Sequence, residues 1–336
     1  MRTTHRLSGI GLLICLVCAS LLLTGCTLGS RYVLPAQSEL KESFSFVHDL
    51  IFATGEMSGT YTRVGSVLAS LWSSALKSVK VTTQSTGGST ANLMMLGRGE
   101  VDLALSASNS AYRAYMGIGP FEQPIDRLRA IAALYPEVFH FVVRKDSPFA
   151  YISEIKGLRV AVGSRMGGTH LTTREVFQAH GISPEDVRME YLSFSEAIFA
   201  LQAGMADIAV IGAGMPTRAV QEAAAMMEIR LLEVEEDKIQ GFINNQPYLD
   251  YYKIPAGMYR GIDHDVLTVA SPALLVTTSE TPEYLVRNLL EVLFNSSEIL
   301  AGNIHTKDIS LQSATRKISI PMHDGARLYY AGAGEI

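Results

Sequence analysis

The chain has 336 residues, of which 48% are hydrophobic and 18% charged, and carries a formal net charge of −5. That length and composition support a sizeable core in one or two domains. The acidic balance and the lack of a basic stripe exclude nucleic acid as a partner, because nothing is placed to neutralise phosphates.

Arg2 and Arg6 precede an uncharged apolar run from Ile10 to Leu23. It is short for a membrane span, which needs about 20 residues, but right for the core of a signal peptide. The run ends in Leu23-Thr24-Gly25-Cys26, which resembles the lipobox of bacterial lipoproteins, where a cysteine becomes the first mature residue and receives a diacylglycerol. Residues 1–25 are therefore expected to be a lipoprotein signal peptide, Cys26 the lipidation site, and residues 26–45 a lipid anchor and polar tether. An uncleaved anchor helix is the other reading. Both place the globular part outside the cytoplasm, in the periplasm or at the cell surface, attached to the membrane. Cys15 and Cys18 lie inside the apolar run, so cleavage leaves Cys26 as the single thiol and no intramolecular disulfide.

Ile51-Phe52-Ala53 reads as a strand and is followed by Thr54-Gly55-Glu56-Met57-Ser58-Gly59-Thr60-Tyr61. Tyr61, Val64, Leu68, Leu71, Trp72 and Ala75 then share one helical face. A loop so placed leaves the first N–H groups of the helix unpartnered, and an anion can bind there without a basic side chain. Alone, the loop warrants no more than a turn at Gly55 and Gly59 with Ser58 or Thr60 as cap. A second strand, Val79 to Thr83, delivers the hydroxyl- and glycine-rich run Ser85 to Asn92 to another helix, which Gly97 and Gly99 stop. Val101 to Leu105 is an apolar strand of the kind buried in parallel sheets. This alternation predicts an α/β sheet with its ligand crevice beyond the carboxyl ends of the strands.

The second half repeats the pattern: strand Leu158 to Val162, glycine-rich loop Gly163 to Thr169, helix Leu171 to His180. Leu201 to Val210 echoes Leu96 to Leu105 at a constant offset of 105 residues, and Gly59-Thr60 stands 109 residues before Gly168-Thr169. Two similar α/β lobes account for the echo, with coincidence between common βα patterns as the alternative. The apolar segments Val138 to Val143 and Asp265 to Ala270 are long enough to cross between lobes. The expected division is residues 46–140 plus 268–336 in lobe I and 141–267 in lobe II, with tail helices Pro282 to Leu300 and Ser310 to Ile318 packed on lobe I.

In order along the chain stand Thr54-Gly55 to Tyr61 with Gly65, Thr86-Gly87-Gly88-Ser89-Thr90-Ala91-Asn92-Leu93, Gly99-Glu100-Val101-Asp102, Gly168-Thr169, Ala213 to Thr217, Ile254 to Tyr259, and Ile320 to Ala326. This series resembles the TAXI-type solute-binding proteins of tripartite ATP-independent periplasmic (TRAP) transporters and covers residues 50 to 334. The resemblance implies a two-lobed, hinged clamp of the type II periplasmic-binding class, with the ligand in the interlobe cleft. It implies delivery of a small organic anion, such as a dicarboxylate or acidic amino acid, to an ion-driven TRAP permease in the membrane. The ligand contacts it implies are Gly59, Thr60 and Tyr61, then Thr86, Ser89 and Asn92, and from the opposite lobe Gly168, Thr169, Pro216 and Thr217. Ala107 and Asn109 depart from the Gln and Asp common in relatives, and Gly167 replaces a common Ser. Arg165 either meets the distal end of a longer acid or is solvated at the cleft mouth.

Other motifs carry less. Ser74-Ala75-Leu76-Lys77 fits the Ser-x-x-Lys spacing of penicillin-interacting enzymes, but Lys-Thr-Gly and Ser-Asp-Asn are missing. The histidines lack metal-ligand spacing, His323 is expected to stabilise a tight turn, and no cofactor or metal is called for. The sequence reads as a non-enzymatic solute receptor. A receptor for an ATP-driven importer, a sensor, and an exported hydrolase are the alternatives.

Overall fold

A computed structural model of the protein describes residues 48–335. The expected signal peptide, the lipidation site at Cys26 and the tether lie outside the described residues. No helix among the described residues is long and apolar enough to cross a membrane.

The first half begins with β1 (His48–Ala53), α1 (Thr60–Ala75), β2 (Val79–Gln84), α2 (Ser89–Arg98), β3 (Leu103–Ala107) and α3 (Ser108–Met116). The apolar stripe of α1 buries Tyr61, Val64, Leu68 and Trp72 as its spacing predicts, while Leu71 is half-buried and Ala75, at the helix end, is exposed. Trp72 satisfies its indole N–H on the Leu289 carbonyl at 2.9 Å, as a buried tryptophan requires. The second half contains β5 (Arg159–Ala161), α4 (Thr169–Ala179), β6 (Arg188–Glu190), α5 (Phe194–Gln202), β7 (Ile208–Gly214) and α6 (Arg218–Met226).

The two halves have the same topology. β1 lies between β2 and β3, all parallel, and β5 lies between β6 and β7, also parallel. The repeat extends to single hydrogen bonds. Asp102 exchanges two with Ile51, its N–H donating to the Ile51 carbonyl and its carboxylate accepting from the Ile51 N–H at 2.7 Å. Asp207, 105 residues on, makes the same exchange with Arg159, accepting from the Arg159 N–H at 2.9 Å. Each aspartate therefore ties the entry of one parallel strand to its neighbour.

Two long strands, β4 (Leu128–Arg144) and β10 (Val266–Thr278), run antiparallel through the middle and join the halves into one sheet of order β2-β1-β3-β10-β4-β7-β5-β6. β10 pairs with β3 through its C-terminal part, and β4 pairs with β7 through its own. At the crossover Pro136 faces Pro272. Neither has an N–H, so the ladder lacks donors from both at that point. Three further elements, β8 (Ile229–Leu231), α7 (Glu236–Asn244) and β9 (Asp250–Ile254), cover the second half.

The tail departs from expectation. The predicted helix Pro282 to Leu300 is two helices, α8 (Glu283–Asn295) and α9 (Ser297–Ala301), interrupted where Ser296 Oγ donates back to the Val292 carbonyl at 2.7 Å. Ser310 to Ile318 is not a helix. It holds one 3₁₀ turn, Leu311–Ser313, and then laces along β4, with the Ala314 carbonyl accepting from the Ala133 N–H at 2.7 Å. Tertiary hydrogen bonds win there over local propensity. A final helix, α10 (Asp324–Ala333), is capped by His323, whose Nδ1 accepts from the Gly325 N–H at 3.1 Å while Nε2 meets the Thr281 carbonyl at 2.9 Å. Tyr330 on α10 is fully buried and donates to the Ile131 carbonyl, so it serves the core.

Helix α10 lies against the start of α8 so closely that a Cβ on Gly325 would fall on the Glu283 carbonyl oxygen. Gly325→Ala is therefore expected to destabilise the protein by about 1–3 kcal/mol through overpacking. An unchanged midpoint of urea unfolding would count against this docking of the tail.

Candidate functional site

The parallel triplets aim the N-termini of α1 and α2 from one half and of α4 and α5 from the other toward the same space, as the crevice rule for α/β sheets requires. A cleft of about 50 Å³ lies between them. Gly59, Thr60, Tyr61, Gly87, Gly88 and Ser89 line it from the first half, and Ser164, Gly167, Gly168, Thr169 and Phe194 from the second. Gly212, Ala213, Glu137 and Phe139 form its floor on the sheet. No backbone acceptor takes the N–H of Thr60, Ser89 or Thr169 among the described residues. Those donors, with the helix dipoles behind them, favour negative charge.

The walls touch. Thr60 Oγ1 donates to the Gly214 carbonyl at 3.0 Å, Thr90 Oγ1 to the Gly167 carbonyl at 2.9 Å, and the Ala91 N–H to the Met166 carbonyl at 3.0 Å. Asn109 Nδ2 donates to Thr172 Oγ1 at 2.6 Å, and Arg113 pairs with Glu175 at 2.6 Å. Glu56 reaches across to accept the Phe194 N–H, the first of α5, at 3.0 Å. Glycines make the approach possible. A Cβ on Gly168 would lie 2.8 Å from Ser110 Oγ and 3.0 Å from Ser89 Oγ. Gly88, at φ +108°, has room only against the Cα of Gly167 at 3.2 Å.

Glu137, on β4 one residue beyond Pro136, is 7% exposed and was missed by the sequence reading. Its Oε2 accepts the Tyr61 hydroxyl proton at 2.9 Å. Tyr61 is 3.3 Å from Ser89 Oγ, which itself accepts the Ala107 N–H at 3.0 Å. Ser89 thus donates to Tyr61 and Tyr61 to Glu137. Burial pushes the Glu137 carboxyl up to about 8 despite the Tyr61 bond, which opposes the shift. Glu56 is also raised by burial, against the opposing Phe194 bond. Among the described residues, no lysine, arginine or histidine lines the cleft. A sequence signal for Glu137 existed: it is the lone acid or lysine/arginine charge between Arg129 and Arg144 in a run of apolar residues.

Six of the ten expected contacts, Gly59, Thr60, Tyr61, Ser89, Gly168 and Thr169, line the cleft. Thr86, Asn92, Pro216 and Thr217 are not in its lining, for a physical reason. The Asn92 amide is fully buried and donates to the carbonyls of Thr54 and Leu105, while Thr86 Oγ1 donates to Asn92 Oδ1 and accepts the Gly88 N–H at 3.1 Å. These two side chains hold the loop that presents Ser89. Pro216 follows a cis peptide bond. The Thr217 N–H donates to Tyr259 Oη at 3.1 Å, and Tyr259 donates to His140 Nε2 at 2.9 Å. His140 Nδ1 donates to the Ile211 carbonyl, and burial first of all lowers its pKa to about 4, which keeps the ring neutral. Of the 213–217 motif, Ala213 floors the cleft and Gly214 receives Thr60, while Thr217 and, from the 254–259 motif, Tyr259 serve as scaffolding next to β7.

Arg165 is outside the cleft as well. It is exposed, its guanidinium 3.9 Å over the Tyr191 ring, and borders a separate groove with Arg113, His170 and Arg174. Ser74 and Lys77 are both exposed. No group of three His, Cys, Asp or Glu able to hold a metal occurs among the described residues.

The chain belongs to the NMT1-like family, whose profile matches residues 52–334. Among solved structures it is similar to the periplasmic aliphatic sulphonate binding protein SsuA from Escherichia coli, at 16% identity over 86% of this chain and 83% of that one, with a TM-score of 0.49. It is also similar to a putative L-cystine ABC transporter protein from Listeria monocytogenes, at 15% identity over 78% and 94%, TM-score 0.49. A third is the ligand binding component of an ABC-type import system from Staphylococcus aureus, at 12% identity over 84% of both chains, TM-score 0.49.

Because the folded carboxyl of Glu137 sits above its ordinary value of 4.5, burial of the neutral acid costs least at low pH, and its contribution to stability is lost as pH rises from about 4.5 to about 8. Without ligand, Glu137→Gln should lack that loss. Its melting temperature relative to wild type is expected to climb between pH ~5 and ~8.5, and a difference independent of pH would contradict the buried, neutral carboxyl.

Proposed function

We propose that the protein is the extracytoplasmic solute receptor of a TAXI-type TRAP transporter, which encloses a small organic anion and delivers it to an ion-driven permease without performing chemistry on it. The observation that carries this reading is the cleft at four helix N-termini, lined by hydroxyls, glycines and unpartnered N–H groups and bridged by direct hydrogen bonds between the halves. Charge-assisted hydrogen bonds of this kind contribute about 1–3 kcal/mol each, enough to hold a carboxylate and still release it.

The cleft bounds the cargo. At ~10–15 Å³ per water, its 50 Å³ admits about four water molecules, the bulk of a compact acid such as a short dicarboxylate or acidic amino acid. We place the moving bodies at residues 46–140 plus 268–336 and 141–267, hinged on β4 and β10 near the opposed prolines, where missing ladder donors leave the sheet easiest to bend. Opening would break the cross-wall hydrogen bonds, and a solute touching both walls would replace what opening loses. The permease partner rests on the ordered motif series from Thr54 to Ala326. Attachment to the membrane through a lipid on Cys26 rests on the lipobox.

A binder gains stability as RT ln(1 + [L]/Kd), about 2.7 kcal/mol at one hundred times Kd. Thermal shift against a panel of small carboxylates and amino acids should therefore find a stabilising solute. Ser89→Ala combined with Thr169→Ala should abolish that shift while the protein stays folded. Undiminished affinity in the double variant would move the site elsewhere.

A further inference from the structure

We infer that Glu137 makes the receptor selective for carboxylates that also carry an ammonium group, so that its cargo is a zwitterionic amino acid with the nitrogen on Glu137 and the carboxylate on the helix N-termini. The inference rests on the receptor reading and narrows its solute class.

Three features lead to it. Glu137 lines the cleft and is more than nine-tenths buried, yet among the described residues no cation accompanies it: its partner is Tyr61, and no basic side chain lines the cleft. An unpaired buried carboxyl is costly and is rarely kept without a partner. Second, the hydroxyl relay is directional. Tyr61 donates its O–H to Glu137 Oε2, which leaves Ser89, itself accepting from the Ala107 N–H, to donate to Tyr61. The relay donates into Glu137 and so favours its ionised form against burial, and an ammonium on the ligand would complete that ionisation. Third, the ionisable groups around Glu137 are a second carboxyl and two phenols. Glu56 lines the same cleft, Tyr61 touches Glu137, and the Tyr135 hydroxyl, without a hydrogen-bond partner among the described residues, is raised first by burial and then by the Glu137 charge. A dicarboxylate would add two negative charges beside two acids. An amino acid brings the missing cation.

The two ends of the cleft then divide the work. The N–H groups of Thr60, Ser89 and Thr169 lie where helix dipoles favour the carboxylate, and Glu137 sits on the sheet floor beneath them. Binding also carries a proton balance. Glu137 is mostly neutral in the empty cleft at neutral pH. When the ammonium binds, the carboxyl ionises and its proton leaves to solvent, so uptake of a zwitterion releases up to one proton per solute.

The test is isothermal calorimetry near neutral pH with matched acids that differ by the amino group: aspartate against succinate, glutamate against glutarate, alanine against propionate. Wild type should bind the aminated member of at least one pair at least about tenfold more tightly, and the heat should depend on buffer ionisation enthalpy with the sign of proton release. Glu137→Gln, checked for folding by its melting transition, should erase the preference and the proton release. Succinate or glutarate binding wild type as tightly as its aminated partner would overturn the inference and leave the receptor reading standing. Binding of no acid from any pair would overturn both. Should Glu137→Gln fail to fold, proton release in wild type decides alone: its absence on amino-acid binding sinks the assignment.

Discussion

Two antiparallel strands, β4 and β10, carry one sheet through both halves of the molecule, and every other placement follows from them. They leave room on either side for a parallel triplet, and each triplet turns the N-termini of two helices toward the centre. Because Pro136 faces Pro272 where the same strands cross, the part of the sheet that joins the halves lacks two backbone donors there. Glu137 is the next residue, paired across the sheet with Ser271 on one side and Gly214 on the other. A solute that reaches Glu137 therefore touches the strand on which the halves would swing.

Steric economy at the meeting surface is the second constraint. Gly168 closes against Ser89 and Ser110, Gly214 against Tyr135 and Thr60, and Gly88 against Gly167. At each contact a methyl group would hold the walls apart. A Cβ on Gly214, for instance, would lie 2.7 Å from a Tyr135 ring carbon and 2.9 Å from the Thr60 methyl. Glycine in these loops serves two ends at once: it lets backbone approach backbone, and it bares N–H groups to whatever the cleft holds.

Much of this was legible in the sequence because local patterns and tertiary structure agree. The stripe from Tyr61 to Ala75 specified α1 almost to the residue, and the echo between Leu96–Leu105 and Leu201–Val210 is the trace of α2–β3 and α5–β7, with Asp102 and Asp207 making equivalent bonds. What stayed hidden depended on contacts between distant segments. Composition cannot distinguish Ser89, which faces the cleft, from Asn92 three residues later, whose amide is consumed by backbone carbonyls. The tail from Ser310 to Ile318 looks helical until the Ala133 N–H of β4 claims the Ala314 carbonyl and Ser108 Oγ the Lys317 carbonyl. Glu137 offered a signal that a glycine-centred reading passes over, a solitary acid in the apolar run from Ala130 to Val143. An acid survives there only if burial has a use for it or a partner relieves it.

The central claim is that the space between the four helix N-termini, floored by Glu137, is where the solute binds. A crystal structure of the protein with a stabilising solute tests it most directly. The account predicts the solute within hydrogen-bond reach of Ser89, Thr169 and Glu137, between closed walls. Solute bound instead in the groove beside Arg165 and Arg174, with this cleft empty, would contradict it.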